Sequence, residues 1–449
     1  MSDILVLGLG KAGAAAARHA LAAGDNVTVY AGVFADPQSE QVSQLVAAGA
    51  QVVCGTEDIA GSYDLCIASP GISQNSAFYK AGAAAAKELV GECEYAYRLS
   101  PNDWIAVTGT NGKTTTTSLV AHLLNASGKL AYPCGNIGDT CTESVDHRRA
   151  GETLVAEMSS YGLASTSQFA PVVAALLNIT PDHLSWHGSL EAYAQAKLKV
   201  FANMTAGCTA VVCDEVADSA QLAASLRARS VRVVTVGSDT GADCAFEDAE
   251  HVLCVRIDGT LNRLATVDEL QIKGPHNVMN ALAAAACALA YGCGAQDVSA
   301  GLKDFAPLEH RIEPVAEVDG VGYFNDSKGT NVDATLVALK AFPGRAIVLL
   351  LGGRDKGTDL APLVAACAGP VRQVICYGEA GQRFFDAFAS SPVPRMAAKG
   401  MREAFAEAVK LANPGDVVLL SPACASFDEF NSFEHRGEVF KELVANLRG

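Results

Sequence analysis

The stretch Trp104-Ile105-Ala106-Val107-Thr108-Gly109-Thr110-Asn111-Gly112-Lys113-Thr114-Thr115 decides how the chain is read. A buried strand is predicted at Trp104 to Val107, a glycine loop follows, and a helix runs on through Leu123. That order makes a phosphate cradle. Backbone amides and the helix N-terminus face the anion, Lys113 neutralises its terminal phosphates, and the Thr114 hydroxyl can reach Mg²⁺. The loop ends in the G-K-[ST] of a P-loop, although Val107 stands where the usual first glycine would be. Gly109, Thr110, Asn111, Gly112, Lys113, Thr114 and Thr115 are therefore the candidate ATP-binding segment. By itself the loop fits a ligase, a motor or a switch equally.

Outward from it, the same grammar recurs. Ile4 to Leu7 reads as a strand, Gly8-Leu9-Gly10-Lys11-Ala12-Gly13 opens an alanine-rich helix to Ala23, and Val27 to Tyr30 reads as the next strand. Short apolar runs at Val52-Val53 and Leu65 to Ala68 lead to Ser69-Pro70-Gly71. Further strands are expected at Leu154 to Ala156, Val172 to Leu177, Ala346 to Leu351, Val374 to Tyr377 and Val417 to Leu420, with helices between. Strands spaced by helix-length segments imply right-handed βαβ units in parallel sheets. A chain of 449 residues suggests about three domains. The expectation is an α/β protein of three successive domains: Rossmann-like at 1–91, P-loop ATPase-type at 92–306 and Rossmann-like at 307–449.

Composition narrows the function. Half the residues are hydrophobic and 18% are charged, which excludes a disordered chain. The formal net charge of −16 lacks the field of a sequence-independent nucleic-acid binder, so phosphates must be met by local amides, lysines and metals. The 14 cysteines include no C-x-x-C pair, which fits reduced, mostly buried thiols in cytoplasm better than disulfides or a zinc site. No apolar run approaches membrane-spanning length, and no basic leader precedes Ile4. A soluble, cytoplasmic protein without membrane or nucleic-acid partners is expected. The Gly8 to Gly13 fingerprint suits a nucleotide diphosphate. It suits NAD poorly, because the second strand ends Tyr30-Ala31-Gly32 without the acid that takes ribose hydroxyls. The plain alternative is that these glycines serve only helix–strand packing.

Gly109 to Thr114 together with Gly135-Asn136-Ile137-Gly138 resembles the Mur ligase family, ATP-dependent amide ligases of bacterial cell-wall synthesis. The likeness extends over nearly the whole chain. It includes Glu157-Met158-Ser159-Ser160-Tyr161, Asn178-Ile179-Thr180-Pro181-Asp182-His183, Ala196-Lys197-Leu198-Lys199, His276-Asn277 and Glu309-His310-Arg311. It continues through Asn325 to Asn331, Leu351-Gly352-Gly353 and Ser421 to Phe430, the most specific run. That last run is most similar to the branch adding D-glutamate to UDP-N-acetylmuramoyl-L-alanine.

The resemblance implies a reaction and its residues. A carboxylate is a poor electrophile until ATP phosphorylates it; an amine then displaces phosphate from the acyl phosphate. Several negative charges meet in that step and must be cancelled at close range. Two Mg²⁺ ions are implied, the first on Thr114 and Glu157, the second on His183 and on Lys197 converted by CO₂ to a carbamate. Lys113 completes the catalytic group. Read alone, Lys197 would be a solvated charge, and an imidazole is the least expected Mg²⁺ ligand. Asn136, Asn277, Asn280, Arg311 and Asp326 match ATP positions, with Arg311 and Asp326 joining by domain closure. UDP is expected on Leu9, Gly10, Lys11 and Ala12 with Ser69, Pro70 and Gly71. D-Glutamate is expected on Thr330, Lys328, Lys356, Ser426, Phe427 and Phe433. Gly162 stands where the family usually has Gln, and Ala12 where it tends to have Ser or Thr, so sugar-nucleotide contacts differ here. A monomer is expected.

Overall fold

The computed structural model describes all positions but 34, 238–241, 355–356 and 448–449, with backbone alone at 185. Met1–Leu270 with Asn277–Phe305 forms one compact unit, and Gln271–His276 with Ala306–Gly449 forms another. The architecture is α/β with three sheets.

In the first unit, β1 (Asp3–Leu7), β2 (Asn26–Gly32), β3 (Gln51–Cys54), β4 (Leu65–Ala68) and β5 (Leu89–Gly91) form a wholly parallel sheet ordered β3-β2-β1-β4-β5. Ile4 to Leu7 are all buried, as a strand covered on both faces requires. The chain reverses direction across the sheet between β1 and β4. Open α/β sheets bind ligands at such a switch point, beyond the carboxyl ends of the strands. Gly8 follows β1 with φ +82°, and a Cβ on Gly13 would lie 2.0 Å from the Gly8 carbonyl oxygen. The helix Lys11–Ala22 can reach β1 this closely only because Gly13 has no side chain.

The second sheet of this unit contains β6 (Trp104–Thr108), β7 (Ala131–Gly135), β8 (Thr153–Glu157), β9 (Val173–Leu176), β10 (Thr209–Cys213), β11 (Arg232–Val236), β12 (Cys244–Glu247), β13 (Val252–Ile257) and β14 (Thr260–Thr266). Their order is β14-β13-β12-β11-β10-β9-β6-β8-β7, parallel except for the β12-β13-β14 meander. The buried strand β6 sits between β8 and β9, so its loop emerges between theirs. Glu157 closes β8 rather than following it, one residue from the sequence expectation.

The second unit holds β15 (Glu313–Val318), β16 (Val321–Asn325), β17 (Ile347–Gly352), β18 (Val371–Tyr377), β19 (Arg395–Ala397) and β20 (Val417–Leu420), ordered β15-β16-β20-β17-β18-β19. Only the β15–β16 pair is antiparallel. Ile347, Leu349 and Leu351 enter one core layer while Val348 and Leu350 enter the other, the period-two signature of a strand covered on both faces. Asp326 lies just past β16. Its carboxylate accepts from Ser421 Oγ at 2.7 Å and from the Ile312 amide at 3.2 Å. No disulfide forms, and 12 of the cysteines are buried, as expected. Among the described residues no helix is long and apolar enough to cross a membrane.

Two measurements follow from this packing. Gly13→Ala places a methyl against a fixed carbonyl, so unfolding in urea is expected to show a loss of roughly 1–3 kcal/mol; an unchanged midpoint refutes the close approach. Burial pushes the Asp326 carboxyl up to about 6 from an ordinary 3.8. The native state thus keeps a proton that the unfolded chain releases in that window. This contribution is full below 3.8 and is lost as pH rises through 6. Asp326→Asn should therefore gain stability relative to the parent between about pH 4 and pH 6. Parallel stability curves for the two proteins would exclude a buried titrating carboxyl.

Candidate active site

The β6 loop is tied to neighbouring segments by side-chain hydrogen bonds. Asn178, just past β9, accepts from the amides of Thr110 at 3.0 Å and Asn111 at 2.8 Å through one carboxamide oxygen. Thr110 Oγ1 bonds the Tyr193 hydroxyl at 2.9 Å and donates to the Thr180 carbonyl at 3.1 Å. Gly112 turns the loop into the helix Lys113–Ala126 with φ +83°, and a Cβ there would lie 2.3 Å from Asn280 Oδ1. Asn280 in turn accepts from Thr116 Oγ1 at 3.3 Å and donates to Asn277 Oδ1 at 3.0 Å. The expected ATP residues Gly109 to Thr115, Asn277 and Asn280 are thus one connected group.

The charged residues converge on a single carbonyl. Lys113 Nζ donates to Gly109 O at 2.9 Å and Thr110 O at 2.8 Å, while Lys197 Nζ donates to Gly109 O at 2.7 Å. Lys197 is only 1% exposed and stands 4.6 Å from the centre of the Tyr193 ring. Burial, with the Lys113 charge beside it, pushes the Lys197 amine well below the ordinary lysine range, outweighing the opposite pull of Asp182 and Glu157. Desolvating an ammonium costs several kcal/mol, which a desolvated cation–π contact of about 2 kcal/mol offsets only in part. An uncharged amine is a nucleophile; a solvated lysine is not.

Glu157 is 2% exposed. One of its oxygens accepts from Asn136 Nδ2 at 2.9 Å, and the other, Oε2, is buried without a hydrogen-bond partner. Such an orphaned carboxylate oxygen is costly unless a cation or water meets it. With Thr114 at the start of the adjoining helix, the donor set fits a hard divalent cation. His183, at φ +54°, lies 3.4 Å from an Asp182 oxygen and 4.8 Å, centre to centre, from the Tyr161 ring.

The two segments expected at UDP adjoin one another at the β1/β4 switch point. Ser69 Oγ donates to Gly8 O at 3.2 Å, and Leu9 to Ala12 cross into the helix Lys11–Ala22, whose N-cap Gly10 leaves its first amides without a side-chain cap. Pro70 and Gly71 follow, and Trp186 Nε1 donates to Gly71 O at 3.2 Å. Tyr161, Trp186 and His187 form an aromatic wall behind them. Burial, with His183 and Lys197 nearby, pushes His187 down to about 4. Gly162 and Cys93 are complementary, since a Cβ at 162 would lie 3.2 Å from Cys93 Sγ. No acid takes the ribose-reading place at the end of β2, where the Tyr30 hydroxyl accepts from the Ala60 amide.

In the second unit, Arg436 is fully buried and pins two loops. Its guanidinium donates to Ser327 Oγ at 2.9 Å, Ser327 O at 2.7 Å and Cys424 O at 3.2 Å. Ser327 Oγ also donates to Phe433 O at 2.8 Å, and Lys328 Nζ lies 5.2 Å from the Phe433 ring centre. Lys328, Thr330 and Ser426 lie on loops, and Phe433 opens the helix Phe433–Ala445 that carries Arg436, so one side chain ties them together. Phe427 is 60% exposed, and Arg311 belongs with Asp326 in the same unit. Lys356 lies outside the described residues. Sequence reasoning missed Tyr193, His187 and Arg436. Nothing local to these residues announces contacts with distant loops.

Residues 107–288 match the Mur ligase middle domain, and residues 310–424 match the Mur ligase glutamate ligase domain. The UDP-N-acetylmuramoylalanine–D-glutamate ligase of Pelotomaculum thermopropionicum is 38% identical, covering 99% of this chain and 98% of that protein. The ligase of the same name from Geobacillus kaustophilus is 35% identical over 99% of this chain and 98% of its own length. Among solved structures, MurF from Acinetobacter baumannii aligns with a TM-score of 0.63 at 19% identity, covering 99% of this chain and 93% of that one. MurC from Thermotoga maritima aligns at 0.61 and 21% identity, covering 99% and 100% respectively, and both report the fold. Sequence, fold and phosphate loop converge: the chain belongs to the Mur ligases, a family of ATP-dependent ligases.

Proposed function

We propose that the chain joins D-glutamate to UDP-N-acetylmuramoyl-L-alanine at the expense of ATP, a step of peptidoglycan precursor synthesis. Its relatives carry that name across their full lengths. The observation that favours a ligase over a nucleotide-driven switch is the buried amine of Lys197 beside the orphaned oxygen of Glu157. A switch needs a phosphate cradle; it has no need of a second anion-forming centre behind it.

In this reading the first sheet binds UDP at its switch point, on Leu9 to Ala12 and Ser69 to Gly71, and the expected divisions 1–91, 92–306 and 307–449 mark the three substrate domains. Gly109 to Thr115 hold the ATP phosphates, and Lys113 leaves its carbonyl partners to neutralise the terminal ones. Asn136, Asn277, Asn280, Arg311 and Asp326 serve the rest of the nucleotide. Glu157 and Thr114 would hold one Mg²⁺, His183 and carbamylated Lys197 a second. When bound, the ions cancel phosphate charge and polarise the transferred group.

The carbamate forms as the Lys197 nitrogen lone pair adds to the carbon of CO₂ and one N–H proton leaves. An amine kept neutral by burial is prepared for that addition. The alanyl carboxylate oxygen then takes the γ-phosphoryl group, ADP departs, and the D-glutamate amine displaces phosphate through a tetrahedral intermediate. Thr330, Lys328, Lys356, Ser426, Phe427 and Phe433 are assigned to the incoming dicarboxylate, whose two negative charges need cations and hydroxyls. The enzyme is read as a cytoplasmic monomer.

Phosphate release by the purified protein should require UDP-N-acetylmuramoyl-L-alanine and D-glutamate together. Release with a different amino acid in its place moves the assignment to a sister ligase, and turnover with ATP alone favours the switch. Lys197→Ala should lose at least about 100-fold in kcat, the scale of a removed charge-stabilising group, and formate should partly restore it by standing in for the carbamate. An inactive variant that short carboxylates leave inactive, with normal ATP binding, removes the carbamate from the mechanism.

A further inference from the structure

Behind the Asn136 loop lies a cluster that the ligase reaction does not use. Cys93, in the helix Glu92–Leu99, and Cys141, at the start of the helix Cys141–Asp146, have their sulfur atoms 3.6 Å apart. Glu92 Oε2 is 3.6 Å from Cys93 Sγ, and its other oxygen accepts from the Thr142 amide at 2.6 Å. One ligand atom from each of Glu92, Cys93 and Cys141 lies within 4.8 Å of the others. Cys134, at the end of β7, brings a further thiol against Cys141. Exposure is 2% at Glu92, 7% at Cys93 and zero at Cys134 and Cys141.

We propose that Glu92, Cys93 and Cys141 form a buried binding site for a thiophilic d¹⁰ divalent cation, with Zn²⁺ the representative ion.

The spacing carries the argument. Tetrahedral zinc with Zn–S bonds of about 2.3 Å sets its sulfur ligands about 3.8 Å apart, close to the 3.6 Å between Cys93 and Cys141. A disulfide would need a sulfur–sulfur distance of about 2.05 Å. Ligand type agrees. Thiolates select soft cations, whereas the oxygen set of Glu157 and Thr114 suits Mg²⁺, so the sites differ in ion as well as place. Contact with the Cys134 and Cys93 side chains, together with burial, raises Cys141 well above its ordinary value. Binding therefore releases thiol protons, and the cation replaces them as the positive partner. Two thiolates and a carboxylate around one divalent ion leave excess negative charge, so the Thr142 amide on Glu92 is a needed counterweight. The cluster also touches the nucleotide side: a Cβ on Gly135 would lie 2.7 Å from Glu157 O and 3.5 Å from Cys141 Sγ.

The full-length protein, reduced and stripped with chelator, should bind one equivalent of Cd²⁺ with a thiolate charge-transfer band in the ultraviolet, and Zn²⁺ should displace it. Cys93→Ser and Cys141→Ser should each weaken binding at least about 100-fold, while Cys54→Ser, in β3 and remote in sequence from the cluster, leaves it unchanged. No stoichiometric band in the parent, or an equal band in Cys141→Ser, overturns the proposal. Should the serine variants fail to fold, X-ray absorption on the zinc-loaded parent decides. A shell with sulfur near 2.3 Å supports the site, and a shell of nitrogen and oxygen alone refutes it.

Discussion

Two lysines donate to one carbonyl oxygen, that of Gly109. A peptide oxygen can accept two hydrogen bonds, but it cannot screen two full positive charges a few ångströms apart in a dry interior. One of them must give way. Lys197 is sealed beneath the loop, and burial with the Lys113 charge beside it pushes its amine well below the ordinary lysine range. Depth sets the two lysines apart. The remaining parts of the centre fall on either side of that division: Tyr193 packs on the amine, and Glu157 holds an oxygen open beside the loop.

Sheet topology supplies this arrangement. Because β6 runs between β8 and β9, the phosphate loop, the Glu157 carboxylate and the Asn178 carboxamide leave neighbouring strands at one edge. The same logic places Gly8 and Ser69 side by side beyond β1 and β4. In both sheets a parallel register fixes which loops meet, and the loop sequences then decide what they hold.

The parts legible in the sequence were those with a local cause. Continuous apolar runs marked β4 and β20 to the residue, and strand–glycine–helix order marked both glycine loops. The edge strand β14 escaped because Thr260–Thr266 is largely polar and pairs only with β13. Lys197 and Lys199 show a different limit. They are two residues apart, yet one is sealed under Gly109 while the other, half-buried, bonds the carbonyls of Ala164 and Thr166. Family resemblance chose between them; charge and hydropathy could not. Arg436 is the same case on a larger scale, since its partners lie on loops up to 109 residues away.

The Asn178 carboxamide has a thermodynamic meaning beyond its geometry. By clamping the amides of Thr110 and Asn111 it freezes the loop before any nucleotide arrives. The conformational entropy of ordering that backbone, about 1–2 kcal/mol per residue, is then charged to folding instead of to association.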